Sequence, residues 1–565
     1  MKFNLEEIPF STRGSYMVFS KLGKKFQGEE IQEGIYFRNV HGSAVSSLVA
    51  RIVPQKNGQE IPYQYEASPQ EVKIYDDEHC CRITWQDEKT VLLEGDLPFY
   101  FDFLAEGSSY TFAQPWKVGN RDFYLVNCFR GNSRYMIRSQ KGSLQLKQKW
   151  REGNAEYSYL YVNGDAPYML VLEENFEDWK DRGEDYDYTY AAQKQKQKFE
   201  EFYALMPSVP DKYQDAAEIS AYVDWTGMVS PCGLLKREAM FMSKNWMCNV
   251  WSWDHCFNAL ALAYHCPKEA WDQFMVLFDF QKESGNIPDS VNDTKVIHNY
   301  CKPPIHGWTL RKLMKVMDLS VEQLKEAYEK LGRWTSWWLN YRDENGDGLC
   351  EYSHGNDSGW DNTTAFDHLP PVTLPDLAAF LVLQMDVLSE VAEKLNEQAD
   401  AKMWKNRANE MLNNMLDVLF ENGQPVARAG FDMHKVENES LILYLPIVLG
   451  KRLPEGTRKE LIQTLESDKF QTSYGLATES WHSKEYESDG YWRGPIWAPS
   501  TMLILDGLKE CGEDTFVKDM TEKFCQLVQK SGCAENFNAL TGEGLRDRAY
   551  TWTASVMLVM AHEYL

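Results

Sequence analysis

Over the first 185 or so residues, apolar and polar positions alternate in short runs. "EVKIY", "CCRITW", "TVLLEG", "RYMIRS" and "YSYLYV" keep a period of two and favour Val, Ile and Tyr, with Gly, Asn and Asp between the runs. Strand side chains point alternately to two faces, so this pattern predicts half-buried strands, and their spacing predicts an antiparallel β-sandwich over 1–185. "YAAQKQKQKFEEFYALM" (190–206) has few helix breakers and "PSVPD" stops it, which predicts a linker helix within 186–211.

From 212 to 565 the apolar spacing becomes helical. Helices are expected at 212–228, 254–265, 268–283, 304–317, 320–340, 373–394, 397–419, 438–448, 455–466, 496–511, 513–530 and 551–563. Short loops such as "HCPKEA" alternate with long ones at 284–303, 341–372 and 467–495. Twelve helices in that rhythm predict an (α/α)6 toroid, an inner ring wrapped by an outer one, with the long loops gathered at one end. A bundle or solenoid would also accept the helix count, but no internal repeat is visible. The expected fold class is thus multidomain: a β-sandwich, then an all-α toroid over 212–565.

Aromatic residues make up 13% of the chain and 19 of them are Trp, which suits a pocket for the apolar faces of sugars as well as a core. The formal net charge of −25 repels phosphate backbones and anionic lipid, so neither nucleic acid nor a membrane is an expected partner, and a small neutral carbohydrate is. "MKFNLEEIPFSTRGSYMVF" does not read as a secretory leader, and no apolar run is long enough to span a bilayer. The 12 Cys include no CxxC pair, which fits free thiols in the cytoplasm, and no Cys/His set has the spacing of a zinc site. Nothing in the sequence bears on oligomeric state.

The long loops carry the candidate chemistry. "NWMCNVWSWDHCFNAL" holds Trp251, Trp253 and Asp254; Asp254 also suits a helix first turn. "NYCKPPIHGW" offers Lys302 and Trp308, and "HGNDSGWDNTTAF" offers Trp360 and Asp361. "ESDGYWRGPIWAPS" clusters Tyr491, Trp492, Arg493 and Trp497, and "CAENFNALTGEG" holds Glu535 and Glu543. Arg428 and Glu439 in "RAGFDMHKVENES" could also reach the site. Two carboxyl groups at one end of a scaffold are what glycoside hydrolysis needs, one to protonate the leaving oxygen and one to activate water. Trp360 beside Asp361 would partly desolvate it and keep it protonated. Taken singly, Asp361 also fits an Asx turn and Glu535 a solvated loop.

"WSWDH", "KPPIHGW", "SGWDN", "YWRGPIW" and "ENFNALTGEG" occur in that order, and together they resemble glycoside hydrolase family 63 over about 245–555. The resemblance implies an (α/α)6 catalytic domain, net inversion, Asp361 as general acid and Glu535 as general base. It further implies that Asp254 holds sugar hydroxyls, and that Trp251, Trp253, Trp360, Tyr491, Trp492, Arg493 and Trp497 line the pocket. The expected activity is an inverting α-glycosidase, foremost an α-glucosidase, acting without a cofactor. "RDENGDGLCEY" begins like a calcium loop with Asp343, Asn345 and Asp347, but its twelfth position is His354, so a structural calcium is a minor expectation. A sugar isomerase on the same barrel, using His255, His298, His306 or His482, and a non-catalytic sugar-binding protein are the alternatives.

Overall fold

The computed structural model describes residues 1–565 except 43–46, 109, 165 and 176–177. The N-terminal region is two antiparallel sheets packed face to face. One sheet orders Met17–Leu22, Gly34–Asn39, Leu48–Lys56, Phe99–Asp102, Asn154–Val162 and Leu144–Arg151. The other orders Phe112–Val118, Arg121–Cys128, Ser133–Lys141, Tyr168–Asn175, Thr90–Gly95, Cys80–Asp87, Val72–Tyr75 and Gln64–Ala67. Alternate residues such as Phe99, Phe101, Leu160, Leu170 and Leu172 meet between the sheets.

Tyr168–Asn175 is buried along its whole length because both of its faces are covered. Leu170 and Leu172 face the sandwich, while Met169 and Val171 lie under Tyr188, Ala191 and Ala192 of helix α1, Tyr188–Ala204. Asp187 caps that helix by accepting the Tyr190 N–H at 2.8 Å. Phe199 and Phe202, later on α1, enter the core of the helical region. The linker helix therefore cements the sandwich to the toroid.

The helical region contains α2 (Gln214–Gly227), α3 (Asp254–Leu262), α4 (Pro267–Met275), α5 (His306–Val316), α6 (Val321–Tyr341) and α7 (Pro375–Lys394). It continues with α8 (Gln398–Val418), a 3-10 stretch (Leu441–Arg452), α9 (Glu455–Glu466), α10 (Ala498–Cys511), α11 (Asp514–Ser531) and α12 (Thr551–Tyr564). α3, α5, α7, the 3-10 stretch, α10 and α12 touch in that order and close back on α3, forming the inner ring. The others pack outside it, so the architecture is the (α/α)6 toroid. The helix expected at 438–448 is instead 3-10, because Pro446 has no N–H to donate and Gly450 turns the chain to φ 51°.

Every motif loop runs into the N-terminus of an inner element: the Trp253 loop into α3, the Lys302 loop into α5, the Asp361 loop into α7, the Tyr491 loop into α10 and the Glu535 loop into α12. Since the inner elements share one direction around the ring, these loops collect at one end. Among the described residues, no helix is long and apolar enough to cross a membrane. All twelve cysteines are free thiols.

Candidate active site

Backbone and side-chain bonds sew the motif loops together. Trp251 pairs with Ser290 in a short ladder, and the Ser252 N–H bonds the Asp289 carbonyl at 2.9 Å. Lys302 Nζ donates to the Asn356 carbonyl at 2.8 Å and meets Asp289 Oδ1 at 3.1 Å. Asn362 ties the Asp361 loop to the Tyr491 loop: its amide donates to the Gly490 carbonyl and accepts the Trp492 N–H, both at 3.0 Å. Ile496 and Phe537 exchange two backbone bonds, at 2.7 and 2.9 Å, and so join the Tyr491 and Glu535 loops.

This weaving brings Asp361 and Glu535 close enough to Tyr491 for its hydroxyl to favour the ionised form of both carboxyls. Burial raises the Asp361 carboxyl, and Lys302 partly offsets that. Burial, then the neighbouring Asp547, pushes Glu535 up to about 7, with Arg546 opposing. Asp254 is buried, raised by desolvation, and its Oδ2 has no hydrogen-bond partner among the described residues. Lys302 acts electrostatically on Asp254, Asp289 and Asp361 at once, a cation shared by three acids.

Tyr491 and Arg546 both hold left-handed backbone, at φ 64° and 60°, and the Arg546 guanidinium lies 4.9 Å above the Tyr491 ring. Such strain persists only where surrounding contacts enforce it. Glu535 is held from behind: its N–H bonds the Asp547 carbonyl at 2.7 Å, and Asp547 Oδ1 accepts Asn245 Nδ2 at 2.9 Å. Asn245 Nδ2 also reaches the Glu7 carbonyl at 2.8 Å, so the N-terminal region supports the residue behind Glu535.

The tryptophans expected to line the pocket pack largely on one another. Trp492 stacks on Trp497 at 3.9 Å and 6°, and on Trp360 at 4.6 Å, while Trp253 and Trp552 close the cluster. Trp253, Trp360, Trp492 and Trp497 are buried and pack against one another, forming an aromatic floor next to Asp361 in the chain. The Trp308 indole N–H goes to Asp506 at 2.7 Å, within a half-buried cluster with Lys312 and Glu563. Trp251, Tyr491 and Arg493 keep partial exposure. Asp361 and Arg493, with His354, Asp367 and His368, line a cleft of about 130 Å³. A larger concavity of about 690 Å³ on the sandwich, near Trp116 and Arg138, lies away from the carboxylate pair.

Glu543 and Glu439 are exposed, and Arg428 pairs with Glu421 at 2.7 Å, so none of the three joins the pair. In the calcium-like loop, Asp343 accepts the N–H groups of Gly346 and Gly348 at 2.9 and 3.1 Å, and Asp347 that of Leu349 at 2.8 Å. Asp289, Arg546 and Asp547 escape notice in the sequence, where each looks like an ordinary loop residue.

Gly359 shows how tight the floor is. Its φ is 75°, and a Cβ there would lie 2.5 Å from the Trp253 ring. Gly359→Ala is expected to cost about 2–5 kcal/mol, from left-handed strain plus overpacking. Gly512→Ala, at φ 94° with open space around it, should cost the strain alone. Denaturant midpoints of the two variants check the difference.

The sequence profile of the mannosylglycerate hydrolase MGH1-like glycoside hydrolase domain matches residues 247–553. Mannosylglycerate hydrolase MGH1 of Selaginella moellendorffii is 22% identical over 389 residues, covering 54% of this chain and 79% of its own. The family 63 mannosylglycerate hydrolase of Thermus thermophilus, solved with Tris and D-glycerate, superposes with TM-score 0.52 at 19% identity, over 61% of this chain and 98% of its own. A bacterial glucoamylase solved with acarbose reaches TM-score 0.66 at 12% identity over 99% of this chain and 94% of its own, so the likeness of fold includes the N-terminal sheets.

Proposed function

Because this chain belongs to the MGH1-like glycoside hydrolases of family 63, we propose that it is an inverting α-glycosidase whose general acid is Asp361 and whose general base is Glu535. The observation that carries this reading is the pair of desolvated carboxyls, Asp361 and Glu535, on loops that the Asn362 and Ile496–Phe537 bonds tie together around Tyr491. Protonated Asp361 gives its proton to the glycosidic oxygen as the bond to the anomeric carbon breaks. Ionised Glu535 takes a proton from the water that attacks that carbon from the opposite face. Asp254, with an unpartnered buried oxygen, accepts from sugar hydroxyls, and Trp251 offers an apolar ring face. The chain's own contribution is positioning and electrostatics, and no cofactor takes part.

We further propose a short, neutral α-glucoside as substrate. The cations near the cleft are already committed: Lys302 to Asp289, Arg493 to Asp367 and Arg546 to Asp489. An anionic aglycone would have to displace one of those acids. The names of the relatives favour the second reading, a glycosylglycerate, with Arg493 freed to hold its carboxylate. Rates on α-linked glucose disaccharides against mannosylglycerate and glucosylglycerate separate the two. The isomerase alternative is weakened because His255 and His306 are fully buried and held neutral.

The pH dependence follows from the roles. Glu535 must be ionised, so kcat/KM is expected to fall as pH drops through about 7, the value to which its carboxyl is pushed. Asp361 must keep its proton, and burial raises its carboxyl in the direction that this role needs. The acidic limb, read from roughly pH 5 to 8, is the test. A rate that is flat across that range would remove Glu535 from the base role.

A further inference from the structure

We propose that His255, Cys256 and His306 form a binding site for one soft d10 metal cation, zinc or copper(I), that pins two inner helices beneath the active site. Among the described residues, their ligand atoms lie within 4.8 Å of one another. All three side chains are fully buried. Neither ring nitrogen of His306 has a hydrogen-bond partner among the described residues. A neutral imidazole carries one donor and one acceptor, and leaving a buried polar group unpaired costs on the order of 1–3 kcal/mol. This ring is an acceptor without a donor to meet it.

His255 completes the case. Its Nδ1 lies 3.0 Å from the Trp251 carbonyl, which can only accept; the tautomer with the hydrogen on Nδ1 satisfies that carbonyl and leaves the Nε2 lone pair for a metal. That Nε2 stands 3.8 Å from Cys256 Sγ. Around a tetrahedral zinc, with bonds of about 2.0 Å to nitrogen and 2.3 Å to sulfur, the same two atoms sit roughly 3.5 Å apart. The His255 and His306 rings have centroids 5.3 Å apart, and Phe278 and Trp334 close a dry shell around His306. Thiolate and imidazole donors together select soft cations over calcium or magnesium. On binding, the Cys256 S–H bond breaks, the proton leaves to solvent and the sulfur electron pair goes to the metal.

The placement gives the ion a structural task. His255 and Cys256 lie in the first turn of α3, next to Asp254; His306 opens α5, four residues after Lys302. One cation would lock these adjacent inner helices and the loops that carry Asp254 and Lys302. The donors come from residues 50 apart in the chain, which is why no local spacing betrays them.

The full-length protein, purified without chelator from cells supplied with zinc and copper, is expected to hold about one equivalent of zinc or copper by mass spectrometry. Cobalt(II) added to stripped protein should give a thiolate-to-metal charge-transfer band. His306→Leu and Cys256→Ala should each lower metal content at least tenfold, and Cys256→Ala should abolish the band. Wild-type protein that retains no metal, including after refolding with zinc, would overturn the site; that measurement needs no variant to fold. Full metal content in both variants would overturn it equally.

Discussion

Asp361→Asn is expected to lower kcat on an alkyl-linked α-glycoside by roughly a thousandfold while KM changes little, since positioned acid catalysis is worth about 10²–10⁴. The amide keeps the shape and the contact with Tyr491 but has no proton to give. A substrate whose leaving group needs no proton separates this role from mere damage. On a nitrophenyl glycoside the same variant should recover most of the lost rate. An equal loss on both substrates would mean that Asp361 shapes the site and does not protonate the leaving oxygen.

Glu535→Gln is expected to cost a similar factor, about 10²–10⁴ in kcat, but on both substrates alike. Water attacks in either case, and the amide cannot take its proton. The acidic limb of the kcat/KM profile should vanish with the carboxylate that creates it. Glu543→Gln, eight residues on, is the internal control: that side chain is exposed, and its rate should be unchanged. If Glu543→Gln were the inactive variant, the base would be assigned to the wrong end of "ENFNALTGEG".

The toroid is legible because its inner helices are apolar around most of their circumference, as in α7 and α12, while outer helices such as α6 carry a one-sided stripe. The 3-10 stretch is not, because an apolar run containing Pro446 keeps helical spacing even where the backbone cannot form α-helical bonds throughout. The two carboxylates stand out in the sequence through the loops that hold them. Their link through Tyr491 does not, since it depends on Asn362 joining chains 130 residues apart. The tryptophans mark the other limit. A ring that stacks on Trp492 and a ring that stacks on a sugar have the same sequence signature, and only the geometry reveals that Trp360 and Trp497 both stack on Trp492. Lys302 stands out in the sequence as a pocket residue, yet its use here is electrostatic, set by Asp254, Asp289 and Asp361 converging from three loops.

The reaction's stereochemistry decides between a general-base pair and any covalent route. Proton NMR of the purified protein with α-linked glucose disaccharides, trehalose, glucosylglycerate and mannosylglycerate follows the anomeric signals from the first minute of hydrolysis. Initial release of the β-anomer is expected, because water enters opposite the departing oxygen with Glu535 behind it. Initial release of the attacked residue as the α-anomer, with no β-anomer at the outset, would show retention through a covalent intermediate and contradict the roles given to Asp361 and Glu535.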